Sequence, residues 1–355
     1  MTKTVAVIPG DGVGQEVIPE GIKVLEAVAD MRFHELPWGC AYYGKHGVMM
    51  PSDALQTLSG YDAIYLGAVG WPTVPDHVSL WGLLLPIRKA FQQYINLRPV
   101  KLLDGVKGFL ADRTSAEIDM VFVRENTEGE YSGAGGRVHV GTAAEVAVEV
   151  PVFTRSGISR AATYAFELAA TRSGRLTSVT KSNASRYAYV LWDEVVAEVG
   201  QRFPQITVDT VLVDAMAARM VMRPQSIDVV VASNLFGDVL TDLGAALQGG
   251  LGLAASANLN PEGIYPSCFE PVHGSAPDLA GKRVCNPLGA ISSAALLLRH
   301  LDYGHGADRI DDAVAAVVKQ GVARTADLGG GASTSEVGDA VVEHLRRRNA
   351  LSDCR

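Results

Sequence analysis

The 355-residue sequence lacks most of what would mark a nucleic-acid binder, a disulfide scaffold or a membrane protein. Lysine and arginine total 31 against 39 acids, a formal net charge of −8, and no basic stripe offsets that balance. An electrostatic footprint for nucleic acid is therefore not expected. The one tight basic cluster, Arg346, Arg347 and Arg348, falls near the end of a predicted C-terminal helix, where the helix dipole favours cations and the side chains are solvated. There are four cysteines, Cys40, Cys268, Cys285 and Cys354, without metal-ligand spacing. No apolar run approaches the length of a membrane span. The opening "MTKTVAVIPGDG" starts as a strand rather than as a charged and then apolar leader, so a cytosolic protein with reduced thiols is expected.

Hydrophobic residues at 48% and charged residues at 20% describe a globular chain, long enough for about two domains. Strand-like runs alternate with helical ones: Thr4 to Ile8, Gln15 to Ala29, Ala63 to Leu66, Gly82 to Tyr94, then strands at Met120 to Val123, Leu176 to Thr180 and Val229 to Ala232. That alternation predicts a largely parallel α/β sheet, whose ligands bind beyond the carboxyl ends of the strands. Arg137 to Phe153 has valine-rich alternation with a Gly-Thr break and reads as a hairpin extending from a domain. No low-complexity linker or internal repeat marks a boundary.

The residues after those strands are unusual. In "VVVASNLFGDVLTDLGAALQGG", Ser233 and Asn234 are capping residues, and Asp238 and Asp242 lie four apart in an otherwise apolar helix. Acids at that spacing share one face and repel, so a positive partner is expected. A solvated acidic face near a helix start and a divalent-cation site both account for them. Arg88 lies on a helix, Arg98 precedes a proline, and Arg124 closes an apolar strand in "VFVRENTEGEYSG", with Tyr131 seven residues on. An arginine at a strand end is badly placed for solvation and well placed to grip an anion. Lys181 in "SVTKSN" and Asp214 in "VLVDAMAARM" also close apolar runs, as an acid/base pair or as structural ion-pair partners. The glycines of "IPGDGVGQEV" run G-x-G-x-G, with Gln15 where the dinucleotide fingerprint has its last glycine, so a tight strand-to-helix turn explains them equally well.

Taken in order, "GDGVGQEV", "NLRP", "VRENTEGEY", "TKSN", "SNLFGDVLTDL" and "FEPVHGSAPDLAGK" resemble the β-decarboxylating dehydrogenases of 2-hydroxy acids, which include isocitrate, 3-isopropylmalate, homoisocitrate, tartrate and D-malate dehydrogenases. The resemblance spans nearly the whole chain. It implies a two-domain α/β fold of the isocitrate/isopropylmalate dehydrogenase kind, with a large, mostly parallel central sheet and a dimer-forming β arm at about 137–153. Residues 1–97 and 251–355 would form the larger domain, with most cofactor contacts. Residues 98–250 would form the smaller one, with the metal site and catalytic residues.

The resemblance also implies a homodimer with shared active sites, in which Asp238 and Asp242 bind Mn²⁺ or Mg²⁺ with Asp214 of the other subunit. Hard oxygen ligands suit those ions. Lys181 from the partner, coupled to Asp214, would take the C2 hydroxyl proton as hydride leaves for NAD, and Tyr131 would protonate C3 after CO₂ departs. Arg88, Arg98 and Arg124 would hold the carboxylates. Three arginines offset three aspartates, and a divalent metal offsets a dicarboxylate. Asp278 stands where NAD-dependent members place an acid on the ribose, whereas NADP-dependent relatives carry Lys and Tyr at Asp278 and Leu279. His273, Gly274, Ser275, Ala276 and Asn286 would line the adenine side, and Asn183 would lie near the nicotinamide.

Substrate size is expected to be set by "SLWGLLLPIRK". Isopropylmalate enzymes resemble it at Leu84, Leu85 and Arg88 but carry glutamate at the position of Trp81. A tryptophan shrinks the space for a branch, which points to a small substrate. This run, with "VRENTEGEYSG" and "TKSN", looks most like tartrate dehydrogenase/decarboxylases and D-malate dehydrogenases. These oxidise tartrates, decarboxylate D-malate oxidatively, convert meso-tartrate to glycerate, and often use K⁺. A 3-isopropylmalate dehydrogenase with an altered pocket and a non-catalytic regulatory subunit are the alternatives. Retention of Lys181, Tyr131, Asp214, Asp238 and Asp242 weighs against the second. No nucleic-acid or membrane partner is expected.

Overall fold

The computed structural model describes residues 2–111 and 113–352, the side chains of 348–352 excepted. Cys354 lies outside the described residues, as does the Arg348 side chain. By its contacts the chain forms two compact units: Met1–Gln93, Arg98–Ile118 and Ala245–Arg355 in the first, Tyr94–Leu97 and Asp119–Gly244 in the second. The segment 98–118, which the sequence reading gave to the smaller domain, clusters with the first unit. The amide of Leu102 donates to the carbonyl of Ile118, and the backbone at Gly105 (φ +92°) lies so close to Lys319 that a Cβ would sit 2.8 Å from its Cα.

The strands in chain order are β1 (Lys3–Gly10), β2 (Met31–Glu35), β3 (Ala63–Ala68), β4 (Ile95–Lys101), β5 (Asp119–Glu125), β6 (Gly129–Val138), β7 (Val146–Val152), β8 (Arg175–Thr180), β9 (Thr207–Leu212), β10 (Val229–Ala232), β11 (Ala255–Leu259) and β12 (Ser267–Pro271). In the first unit β2, β1, β3 and β12 are neighbours in parallel, and β11 adds to β12 antiparallel. In the second, β5, β10, β8 and β9 run parallel. The chain thus adopts the expected α/β architecture with mostly parallel strands. Strands such as β3 and β10 are buried along their whole length, which is why they read as unbroken apolar runs.

Two helices flanking β1 and β12 illustrate the packing. Gly14–Glu26 buries Val17, Ile18, Gly21, Val24 and Leu25, and Gly21 is needed because a Cβ there would lie 1.8 Å from the Tyr65 hydroxyl. Leu288–His300 is apolar on most of its surface and buries nine residues, Ser293 among them, whose hydroxyl donates back to the Gly289 carbonyl. The hairpin expected at 137–153 is present as β6 and β7, antiparallel from Gly129↔Val152 to Val138↔Val146, with every residue of β7 exposed.

The helix expected over Gly82 to Tyr94 is shorter and not uniform: after Asp76–Ser79 comes a π-helical turn, Leu80–Leu84, and the α-helix proper is only Leu85–Ala90. Pro86 has no amide to offer the Gly82 carbonyl, and the Leu85 amide reaches back five residues to Leu80. The wide turn absorbs the missing bond. No described helix is long and apolar enough to cross a membrane, and the described cysteines Cys40, Cys268 and Cys285 are free and buried.

Candidate active site

In the second unit the singled-out residues line the carboxyl ends of four adjacent parallel strands. Arg124 is next to last in β5, Lys181 follows β8, Asp214 follows β9, and Ser233 and Asn234 follow β10 into the helix Asn234–Leu247. The positive partner expected for the acidic pair is Arg124, whose Nη1 donates to Oδ1 of Asp238. Arg124 is only 2% exposed, so its charge needs further acceptors. Asn234 supplies one: its Oδ1 accepts from Nε at 3.0 Å and from Nη2 at 2.7 Å. Gly237 makes room for the arginine, since a Cβ there would lie 2.6 Å from Arg124 Cγ.

Tyr131 donates from its hydroxyl to Oδ2 of Asp238 at 3.1 Å, and the Arg124 guanidinium lies 5.7 Å from its ring centroid. Burial, reinforced by the Asp238 carboxylate, pushes the phenol above the ordinary tyrosine value. Tyr131 therefore holds its proton at neutral pH. The three glutamates of "VRENTEGEY" position this strand. Glu125 accepts from the amides of Thr127 and Glu128 at 3.0 and 2.8 Å. Glu128 accepts from the amide and hydroxyl of Thr154 at 2.9 and 2.6 Å, at the start of the helix Arg155–Ala170. Glu130 accepts from the Tyr189 hydroxyl at 3.2 Å.

Lys181 Nζ lies 3.0 Å from Oδ1 of Asp214, brought there by the parallel pairing of Thr180 with Leu212 just before them. That hydrogen bond, first among its causes, holds the Asp214 carboxyl below the usual aspartate range. Asn183 is exposed two residues on. Asp242 is exposed one helical turn beyond Asp238. Among the described residues of one chain no three histidine, cysteine or acidic side chains gather as a metal-ligand set. Asp238 and Asp242, two carboxylates one helical turn apart, are oxygen donors of the kind a hard divalent ion takes.

In the first unit Arg88, 6% exposed, donates from Nη2 to Oε1 of Glu270 at 2.8 Å. The same oxygen accepts from Asn258 Nδ2 at 2.7 Å, while Arg88 Nε is buried with no partner. An arginine half-satisfied in this way retains donors for an incoming anion. Arg98 is buried on β4. Leu84 is buried, whereas Trp81 on the π-turn is 44% exposed, with Lys89 Nζ 4.7 Å from its ring centroid.

The residues expected at a cofactor follow β12. Gly12 (φ +56°) comes so near this loop that a Cβ would sit 2.0 Å from the Ser275 carbonyl oxygen, and Val13 donates to that oxygen at 2.9 Å. Ala276 holds φ +39°, a left-handed conformation rare outside glycine and costly enough to be kept at ligand clamps. Gly274 has open space where a side chain would be. His273 Nδ1 meets the Gly274 carbonyl at 2.9 Å, and its Nε2 is buried without a partner. Burial pushes the imidazole below its ordinary value, leaving it neutral. An orphaned ring nitrogen beside an open glycine and an exposed Asp278 fits a nucleotide. Asn286 is committed to the scaffold, with Nδ2 on Asp327 at 3.0 Å and Oδ1 accepting from the Leu288 amide at 3.0 Å. Glu270 and the arginine-holding role of Asn234 were not singled out in the sequence. An acid closing the buried strand "SCFEP" was the available signal for the first.

The family model for isocitrate/isopropylmalate dehydrogenase matches residues 4–341. A probable tartrate dehydrogenase/decarboxylase of Agrobacterium vitis is 50% identical over 354 residues, covering 98% of this chain and 99% of its own. A D-malate dehydrogenase (decarboxylating) of Escherichia coli K12 is 50% identical, covering 98% of this chain and 99% of its own. The crystal structure of an isocitrate dehydrogenase from Methylococcus capsulatus superposes with a TM-score of 0.89 at 35% identity, covering 98% of this chain and all of that one. With the match running through both units and through every site residue named above, the chain belongs to the isocitrate/isopropylmalate dehydrogenase family.

Proposed function

We propose that the protein is an enzyme that oxidises, and oxidatively decarboxylates, small 2-hydroxy diacids such as tartrate and D-malate, and decarboxylates meso-tartrate to glycerate. It uses NAD and Mn²⁺ or Mg²⁺, with K⁺ as a monovalent cofactor, and works as a homodimer in the reducing cytosol. The observation that carries this reading is the Tyr131 hydroxyl on Asp238, 3.1 Å away, with Arg124 on the same carboxylate: an acid, a candidate metal ligand and an anion-binding cation joined in one unit. The two relatives at 50% identity, named for tartrate and D-malate chemistry, support the substrate class.

When bound, the metal would polarise the C2 oxygen and NAD would accept the hydride. Asp238 and Asp242 would hold the metal, with Asp214 contributed by the second subunit. Lys181 from that subunit, fixed by Asp214, takes the proton from the C2 hydroxyl. Arg88, Arg98 and Arg124 grip the carboxylates and set the direction in which hydride leaves. Tyr131 Oη delivers a proton to C3 once the β-carboxylate has left as CO₂. Asp278 accepts from the ribose 2′-hydroxyl and repels a 2′-phosphate, which selects NAD over NADP. Asn183 faces the nicotinamide, and His273 with Gly274, Ser275 and Ala276 forms the adenine side, behind which Asn286 is tied to Asp327. Trp81 and Leu84 cap the substrate's distal end and favour a small acid.

The test is initial-rate NAD reduction on D-malate, L- and meso-tartrate, 3-isopropylmalate and isocitrate, with Mn²⁺ plus K⁺ and again with EDTA. Metal-dependent turnover of D-malate or a tartrate is expected. Turnover of 3-isopropylmalate alone keeps the mechanism and refutes the size argument from Trp81. Metal binding with no NAD reduction on any acid refutes the enzymatic reading in favour of a regulatory subunit.

A further inference from the structure

Asn234 opens the acidic helix, where sequence makes it a cap, yet its carboxamide oxygen accepts from Arg124. Its Nδ2 donates to the Glu128 carbonyl at 3.0 Å, which fixes the amide's orientation and turns Oδ1 toward Arg124. Two glycines make the room: a Cβ at Gly129 (φ +73°) would meet Asn234 Cβ at 3.3 Å, and one at Gly237 would strike the arginine. Left to itself, a buried guanidinium beside a carboxylate settles into the bidentate fork, its strongest arrangement. Here the fork is divided. Asn234 occupies Nε and Nη2, Asp238 meets Nη1 through Oδ1, and the other carboxylate oxygen accepts from Tyr131.

Resting on the reading of Asp238 as a metal ligand, we infer that Asn234 is a positioning residue that holds Arg124 off a bidentate grip on Asp238, keeping that carboxylate available to a divalent cation and the arginine turned for substrate. A neutral amide suits the task. It accepts from the cation without adding negative charge beside the metal.

The test uses the full-length protein and Mn²⁺ alone, with bound ion read by electron paramagnetic resonance in the absence of NAD and acid, followed by steady-state NAD reduction. Asn234→Ser is too short to reach the guanidinium and should weaken Mn²⁺ binding about tenfold, the order expected for losing a hydrogen bond to a charged group. It should also raise KM for the acid more than it lowers kcat. Asn234→Asp still accepts from the arginine but gives up the donor to the Glu128 carbonyl and adds a charge, so it should weaken Mn²⁺ binding, though less than Asn234→Ser. In an Arg124→Lys background Asn234→Ser should add little, because the residue acts through Arg124. Wild-type Mn²⁺ affinity and KM in both variants, with only a lowered Tm, would overturn the inference, and so would effects that simply add in the Arg124→Lys background. Mn²⁺ binding unchanged by Asp238→Asn would instead remove the metal reading on which the inference stands.

Discussion

Arg88 and Glu270 form an ion pair whose side chains are 7% and 9% exposed, 182 residues apart in sequence. Glu270→Met keeps the volume and removes the carboxylate, leaving a buried guanidinium and the Asn258 amide without their shared acceptor. Breaking a buried pair from one side costs about 3–5 kcal/mol. At roughly 2–4 °C per kcal/mol for a domain of this size class, the first unit should unfold about 6–20 °C lower. Glu270→Gln retains an acceptor and should lose less, about 1.5–3 kcal/mol. Thermal unfolding followed by circular dichroism measures both. If Arg88 receives a substrate carboxylate, an excess of tartrate supplies the missing counter-charge. Its stabilising shift, about 2.7 kcal/mol at a hundredfold excess over Kd for an ordinary site, should be larger in Glu270→Met than in wild type. A Glu270→Met protein that melts with wild type, or that gains no more from tartrate, would refute the reasoning.

Lys181→Ala should abolish NAD reduction while Mn²⁺ binding stays largely intact; isothermal titration beside a rate assay checks this, and wild-type turnover would remove Lys181 as the base. Asp278→Lys should shift preference toward NADP, read as the ratio of kcat/KM for the two cofactors, and an unchanged ratio would count against the ribose assignment. Tyr131 holds its proton above the ordinary tyrosine value, so the acid stays competent as pH rises and fails only above about 10. Asp214, held low by its hydrogen bond to Lys181, keeps its charge to lower pH than an ordinary aspartate, and the Lys181 pairing lasts with it. A kcat profile whose alkaline limb falls well below pH 10 and vanishes in Tyr131→Phe would contradict this account of the phenol.

How much of this was readable beforehand follows from how far each signal travels along the chain. Residues that close an apolar strand announce themselves, because burial on both faces gives an unbroken run and the first polar residue after it stands out. Arg124, Lys181, Asp214 and Asn234 were all visible in this way, and β10 spans the apolar run Val229–Ala232 from end to end. What the sequence could not carry was pairing at a distance. Nothing near Arg88 announces Glu270, and nothing in "SNLFGD" separates an asparagine that caps a helix from one that holds an arginine. Nor does anything beside Gly237 explain it, since the atom that requires a glycine there belongs to a residue more than a hundred positions earlier. The helix over Gly82 to Tyr94 was misjudged because periodicity alone does not separate 3.6 from a locally wider turn, although Pro86 stood inside it as a warning.

That wider turn bears on how the pocket could change over evolutionary time. A π-helical turn is what a helix becomes when it accommodates one residue too many, and each extra residue rotates everything before it by about 100° relative to everything after. Trp81 lies within this turn, and Arg88 in the helix that follows it. Deleting a single residue between them would therefore swing the indole to another face while leaving the arginine and its glutamate undisturbed. Under the proposed function, chain length in this short segment becomes a dial for substrate size separate from the arginines assigned to the carboxylates, and related enzymes could diverge in the acid they accept by slipping one codon, with no substitution in the chemical machinery.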